Sequence, residues 1–256
     1  MELVRYRLDN RVATITLNRP EKRNALNAAM VTALKGAFEQ AAKDESKVIV
    51  LDAAGEAFCA GADLAYLEQL QENTYEENLA DSSHLKELFY QIYTHPKVVI
   101  AKIQGHAIAG GCGLATVCDF SFAAEHAKFG YTEVRIGFIP AIVKVFLLRK
   151  IGEGKAKELL LTGALYSAEE AKGLGLINEV ALAEKLDEKV HAFSQMLIEK
   201  NSGQSMQLTK QMIAEVQEMS LMDGLNHAAE QNAEARATSD CQKGIAAFLN
   251  KEKLSW

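Results

Sequence analysis

The chain has 256 residues, 48% of them hydrophobic, and 28 Lys+Arg stand against 34 Asp+Glu for a formal net charge of −6. That is enough apolar material for a sizeable core, while mild acidity without any long run of like charge argues against nucleic-acid binding by bulk charge. No apolar run approaches the roughly 20 residues of a membrane span, the four cysteines form no CxxC pair, and the first residues lack a signal-peptide pattern; the expectation is a cytoplasmic protein with reduced cysteines and no metal site.

In chain order, residues 3–17 alternate apolar and polar around a "DN" turn signal, which predicts a hairpin. Residues 27–44 carry apolar positions at helical spacing and open on Asn27, a good N-cap. The runs "KVIVLDAA" (47–54), "VVIAKIQG" (98–105) and "DFSFAA" (119–124) read as buried strands, and 63–94 as a long helical stretch with polar breaks. Strand and helix in alternation predict a layered α/β core with crossover connections. From about 140 the chain reads as short helices punctuated by glycine, one opening on Ser167 with Glu170 three residues on, a capping-box pattern. After 181 almost everything is amphipathic helix, read as an extension that packs on the core or on another subunit.

Two loops could carry chemistry. "GEAFCAGADL" (55–64) and "GHAIAGGCGL" (105–114) each follow a buried strand and lead into a helix through small residues. Such turns leave the first helical N–H groups unpaired, favouring negative charge, and two such donors aimed at one point would make an oxyanion hole. The competing reading is that they are merely tight turns. Neither GxGxxG nor GxxxxGK[ST] occurs, which argues against those phosphate cradles. A third stretch, "FGYTEVRIGFIP" (129–140), sets Glu133 among apolar and aromatic residues, where desolvation would raise its affinity for a proton and suit it to general acid–base work. The alternative is a surface glutamate paired with Arg135. His106 and Cys112 are the other reactive groups nearby, and no Ser/His/Asp arrangement is supported by spacing.

The set "LNRPEKRNALN" (17–27), "FCAGADL" (58–64), "AIAGGCGLATVCD" (107–119), "FGYTEVRIGFIP", "KAKELLLTG" (155–163) and "AEEAKGLGLINEV" (168–180) resembles the enoyl-CoA hydratase/isomerase, or crotonase, family. The likeness runs from the first strand to the last helix, and the segment "TEVRIGFIPAIVKVFLLRKIG" (132–152) resembles methylglutaconyl-CoA hydratase-like members. The resemblance implies an α/β fold, a spiral of ββα units over residues 1–195 with a C-terminal helical trimerisation region at 196–256, assembled as a trimer or as a hexamer. It implies an acyl-CoA thioester substrate, no separate cofactor, and a carbonyl oxygen held by the amides of Ala62 and Gly110. Arg23, Ala25, Leu26 and Ala60 would line the coenzyme A, Lys251 would reach its phosphate from a neighbouring subunit, and Tyr131 and Ile142 would flank the acyl chain.

Family hydratases usually carry two glutamates across the substrate double bond. The second matches Glu133; the first would stand where this chain has Gly113. Three readings follow: hydration of a 2-enoyl-CoA, a branched one such as methylglutaconyl-CoA included, with Tyr131 or a substrate carboxylate supplying the missing group; Δ3–Δ2 isomerisation by Glu133 alone; or another reaction, such as decarboxylation, with Gly113 leaving room for a bulky chain. A non-catalytic CoA-binding scaffold is the reading from a different class. The segment "AIVKVFLL" after Pro140 would line the acyl pocket with Ile142, Val143 and Phe146.

Overall fold

A computed structural model describes residues 2–256, the side chain of Leu64 excepted. A six-stranded sheet runs in the order β1 (Val4–Asp9), β2 (Val12–Leu17), β3 (Val48–Ala53), β4 (Val98–Ile103), β6 (Phe120–Ala124), β9 (Glu179–Ala181). The β1–β2 hairpin is antiparallel and the remaining pairs are parallel. Its inner strands are apolar because both faces are covered: the main core lies on one side and α7 (Leu186–Lys200) on the other. The main core takes in α1 (Ala28–Lys43), whose N-cap Asn27 accepts the Met30 amide at 2.9 Å. The expected 63–94 helix is two, α2 (Leu64–Glu72) and α3 (Tyr75–Tyr93), because Thr74 and Glu77 form a capping box that restarts the chain.

A second, three-stranded sheet, β5 (Ala107–Ile108), β7 (Lys128–Gly130) and β8 (Tyr166–Ser167), places the site. Strands β3, β4 and β6 of the large sheet are each followed by a short pairing segment in this second layer and then by a helical turn. After β3 comes the bridge of Cys59 to Ala107 and then α2; after β4 come β5 and α4 (Gly110–Val117); after β6 come β7 and a 3-10 turn, Glu133–Ile136. Cys59 pairs with Ala107 and Ala107 with Phe129, so positions three to four residues further on, Ala62, Gly110 and Glu133, emerge from adjacent segments at one end of the layer.

Beyond the second layer, α5 (Val143–Thr162) breaks at Gly152, whose φ of 77° is non-helical, as its glycine punctuation suggests. Ser167 and Glu170 form the expected capping box of α6 (Ala168–Leu174). The last helices are α8 (Gly203–Val216), α9 (Leu221–Arg236) and α10 (Ser239–Asn250). The boundary expected at 195/196 falls inside α7, a continuous helix packed on the large sheet. The structural break is at Asn201–Ser202, where Ser202 caps α8. No described helix is long and apolar enough to cross a membrane.

Candidate active site

The segment 23–26 is zipped to the loop 60–63 through main-chain hydrogen bonds. The Ala60 amide donates to the Arg23 carbonyl at 3.0 Å, the Leu26 amide to Gly61 at 2.7 Å, and the Asp63 amide to Leu26 at 3.0 Å. Arg23, Ala25, Leu26, Ala60 and Ala62, inferred from separate stretches of sequence, are thereby brought into one strip. The Ala62 amide lies on the other edge of this pairing and has no hydrogen-bond partner among the described residues.

Gly110 is the first residue of α4, and its amide is likewise without a partner among the described residues, as expected of an N1 position. Its direction is set by Ala109, which takes φ 52° and ψ −124°. That conformation is strained for a residue with a Cβ and is held by the Ala109 amide donating to Gly130 at 2.7 Å and its carbonyl accepting from Gly113 at 3.0 Å. The two loops touch, since a Cβ on Gly61 would stand 3.4 Å from the Gly110 nitrogen. Two free donors on adjoining segments, one at a helix N-terminus, form the pair an oxyanion needs.

Glu133 opens the 3-10 turn that follows β7. It is half-buried, and its Oε2 is buried without a partner among the described residues. Burial pushes its carboxyl above the ordinary carboxylate range, offset only in part by a main-chain hydrogen bond. Arg135 points into solvent and forms no ion pair with it among the described residues; its stem instead lies against Gly163. The surface-pair reading of Glu133 is therefore set aside.

Several expectations are corrected. Tyr131 is fully buried, and its hydroxyl lies 2.7 Å from Thr116 Oγ1. Thr116 spends its single proton on the Cys112 carbonyl at 2.8 Å, so Tyr131 must donate to Thr116. With neither exposure nor a spare proton, it does not line the acyl site or replace a missing acid. Gly113 leaves no room: a Cβ there would overlap Val143 Cγ1 and stand 3.0 Å from Phe89 Cε1. Val143 accordingly belongs to the core at 4% exposure, while Ile142 is half-buried beside it. Gly111 is bare because its Cβ would collide with the Cys59 carbonyl. Cys112, with Cys59 and Cys118, is buried, and burial pushes these thiols up to about 12, which leaves them unreactive. His106 faces solvent and accepts the Lys128 amide at 3.2 Å. Lys251 is the C-cap of α10, which packs on α8 and α9.

Sequence reasoning missed Asn24 and the Arg19–Asp63 pair. Asn24 is fully buried with φ 54°, accepts the Arg19 amide, and donates to the Ala54 and Ala57 carbonyls, all at 2.8 Å. Burial alone would raise the Asp63 carboxyl, but Arg19 and the Ala65 amide hold it below the ordinary range. The Asn of "KRNAL", a residue type that tolerates left-handed backbone, was the available signal for Asn24.

Comparison with known proteins decides the family. The sequence matches the family Enoyl-CoA hydratase/isomerase over residues 7–256. The chain belongs to that family. A Thermus thermophilus protein provisionally named an enoyl-CoA hydratase is 45% identical over 94% of this chain and 95% of its own. The 2,3-dehydroadipyl-CoA hydratase of Escherichia coli is 34% identical over 94% and 93%. The crystal structure of an enoyl-CoA hydratase from Mycobacterium smegmatis superposes with a TM-score of 0.93 at 33% identity, covering 99% of this chain and 98% of that one. The two-sheet fold with its C-terminal helices is thus the crotonase fold, and the protein is an enzyme of the enoyl-CoA hydratase family.

Proposed function

We propose that the protein hydrates the α,β double bond of a 2-enoyl-CoA, with Glu133 as its single acid–base group. The observation that carries the reading is the half-buried Glu133 carboxylate, whose Oε2 is buried without a partner among the described residues, on the segment adjoining two free amides. The thioester oxygen sits between the Ala62 and Gly110 amides, and the coenzyme A runs along Arg23, Ala25, Leu26 and Ala60. Glu133 takes a proton from water as the oxygen bonds to the β-carbon. The π electrons move to the α-carbon, enolate charge collects on the thioester oxygen, and protonated Glu133 then delivers its proton to the α-carbon. One water is added and the carboxylate is regenerated. The full-length similarity to named hydratases supports this direction of chemistry. For the acyl group we favour a branched chain such as that of methylglutaconyl-CoA, which the half-buried Ile142 would flank.

Isomerisation of a 3-enoyl-CoA is the second reading. The filled position at Gly113 favours it, because moving a double bond needs one proton shuttle and no water. The test is mass spectrometry after incubation with straight, branched and dicarboxylic 2- and 3-enoyl-CoA thioesters. A gain of one water on a 2-enoyl substrate is expected. A shifted double bond at unchanged mass would replace hydration by isomerisation, and no turnover of any thioester would return the scaffold reading.

A further inference from the structure

We propose that Val143 is a specificity-determining residue: wedged against Gly113, it closes the position from which a second acid would face Glu133 and so commits the site to one acid–base group. The proposal rests on the reading of Ala62 and Gly110 as the thioester cradle. Gly113 lies three residues beyond Gly110 in α4, on the same face of that helix, and is therefore the first side-chain position behind the donor amide. Val143, the first residue of α5, fills that position. An ideal Cβ on residue 113 would overlap its Cγ1 and come within 3.0 Å of both its Cβ and Phe89 Cε1.

The wedge has little freedom to give way. Valine is stiff at χ1, and Val143 is 4% exposed. Phe89, fully buried on α3, packs at a tilt against Phe146 at 5.9 Å between centroids, and Phe146 against Tyr93 at 5.3 Å. Two helices, α3 and α5, thus converge on Gly113 of α4 with apolar side chains. A carboxylate forced into that place would meet the aromatic cluster and leave its charge unpaired, which is costly. Glycine at 113 and valine at 143 are therefore coupled: an acid enters at 113 only when 143 shrinks.

Four proteins test this, namely wild type, Gly113→Glu, Val143→Gly and the double variant. Each is followed by thermal melting and by rates of crotonyl-CoA hydration and 3-enoyl-CoA isomerisation. Gly113→Glu alone should lower Tm by more than about 5 °C, and adding Val143→Gly should restore most of that loss. The restored protein should hydrate crotonyl-CoA about tenfold or more faster than Val143→Gly alone. Overturning results are a Gly113→Glu protein that melts like wild type with the same gain, or a restored double variant whose hydration rate is unchanged. Should the glutamate variants not fold, Gly113→Ala with and without Val143→Gly reads the same steric coupling, and simply additive Tm losses would overturn it. Wild-type inactivity on every thioester would remove the functional reading, whereas the melting coupling stands or falls independently of turnover.

Discussion

At the scale of single residues, Glu133 is asked to be charged in a place that disfavours charge. Burial raises its proton affinity, which makes it a better proton donor and acceptor near neutrality and a poorer contributor to folding. For a carboxyl whose folded pKa is raised, the stabilising contribution is complete below the unfolded value near 4.5 and is lost as pH rises through the folded value. Glu133→Gln should therefore raise Tm at pH 8 relative to wild type. In the same protein kcat should fall by about 10² to 10⁴, with CoA-thioester affinity nearly kept. A variant that loses both activity and stability would instead make Glu133 structural. The acidic limb of the wild-type rate profile should turn above pH 4.5, since the working base is the deprotonated form. The adjacent glycines separate in the same way. Gly111→Ala drives a Cβ into the Cys59 carbonyl, whereas at Gly110 the nearest atom is Leu26 Cδ1 at 3.4 Å. Melting should show a loss of about 2 kcal/mol or more for the first and little for the second, whose effect should fall on kcat.

At the scale of elements, long strands and capped helices were legible because period and caps are local. The 48–53 and 98–103 strands and the Asn27, Ser167 and Glu170 caps stand where pattern placed them. The second sheet was not legible. β5, β7 and β8 are two or three residues long, too short for periodicity, and exist through pairing between distant segments. The site shows the same division: glycine-rich loops announced the donor amides, while the Tyr131–Thr116 bond and the Val143 wedge depend on packing that no local pattern encodes. His95 belongs to this hidden class. It is buried in the turn before β4, where Nε2 donates to the Phe38 carbonyl of α1 at 3.1 Å and Nδ1 accepts the Lys97 amide at 3.1 Å. Burial pushes it down to about 4 from 6.5. Because the unfolded chain takes up that proton first, stability should fall as pH drops from 6.5 toward 4, by about 3 kcal/mol in all. Urea melts at pH 7 and pH 4.5 should show the loss in wild type and a smaller one in His95→Gln. Equal losses would remove His95 as the cause.

At the scale of the molecule, the C-terminal helices carry more apolar surface than one chain can use. Leu221, Met222 and Leu225 of α9 and Phe248 and Leu249 of α10 are each more than half exposed, Phe248 at 83%. A lone chain would hold such a surface at a cost in solubility, and α8 to α10 cover only part of one another. The expectation is a closed assembly, trimer or hexamer, in which this surface meets another copy. Light scattering should give a multiple of the 28.0 kDa chain, and Phe248→Glu should shift it toward the single-chain mass. The consequence for catalysis is specific, because Lys251 sits one turn beyond Phe248 at the C-cap of α10 and is expected to serve the thioester site of a neighbouring copy. Dissociated Phe248→Glu protein should then show a raised KM for the CoA thioester, and Lys251→Ala should raise KM similarly while remaining assembled. If the dissociated protein keeps its wild-type KM, the coenzyme is bound within one chain and the helical extension serves assembly alone.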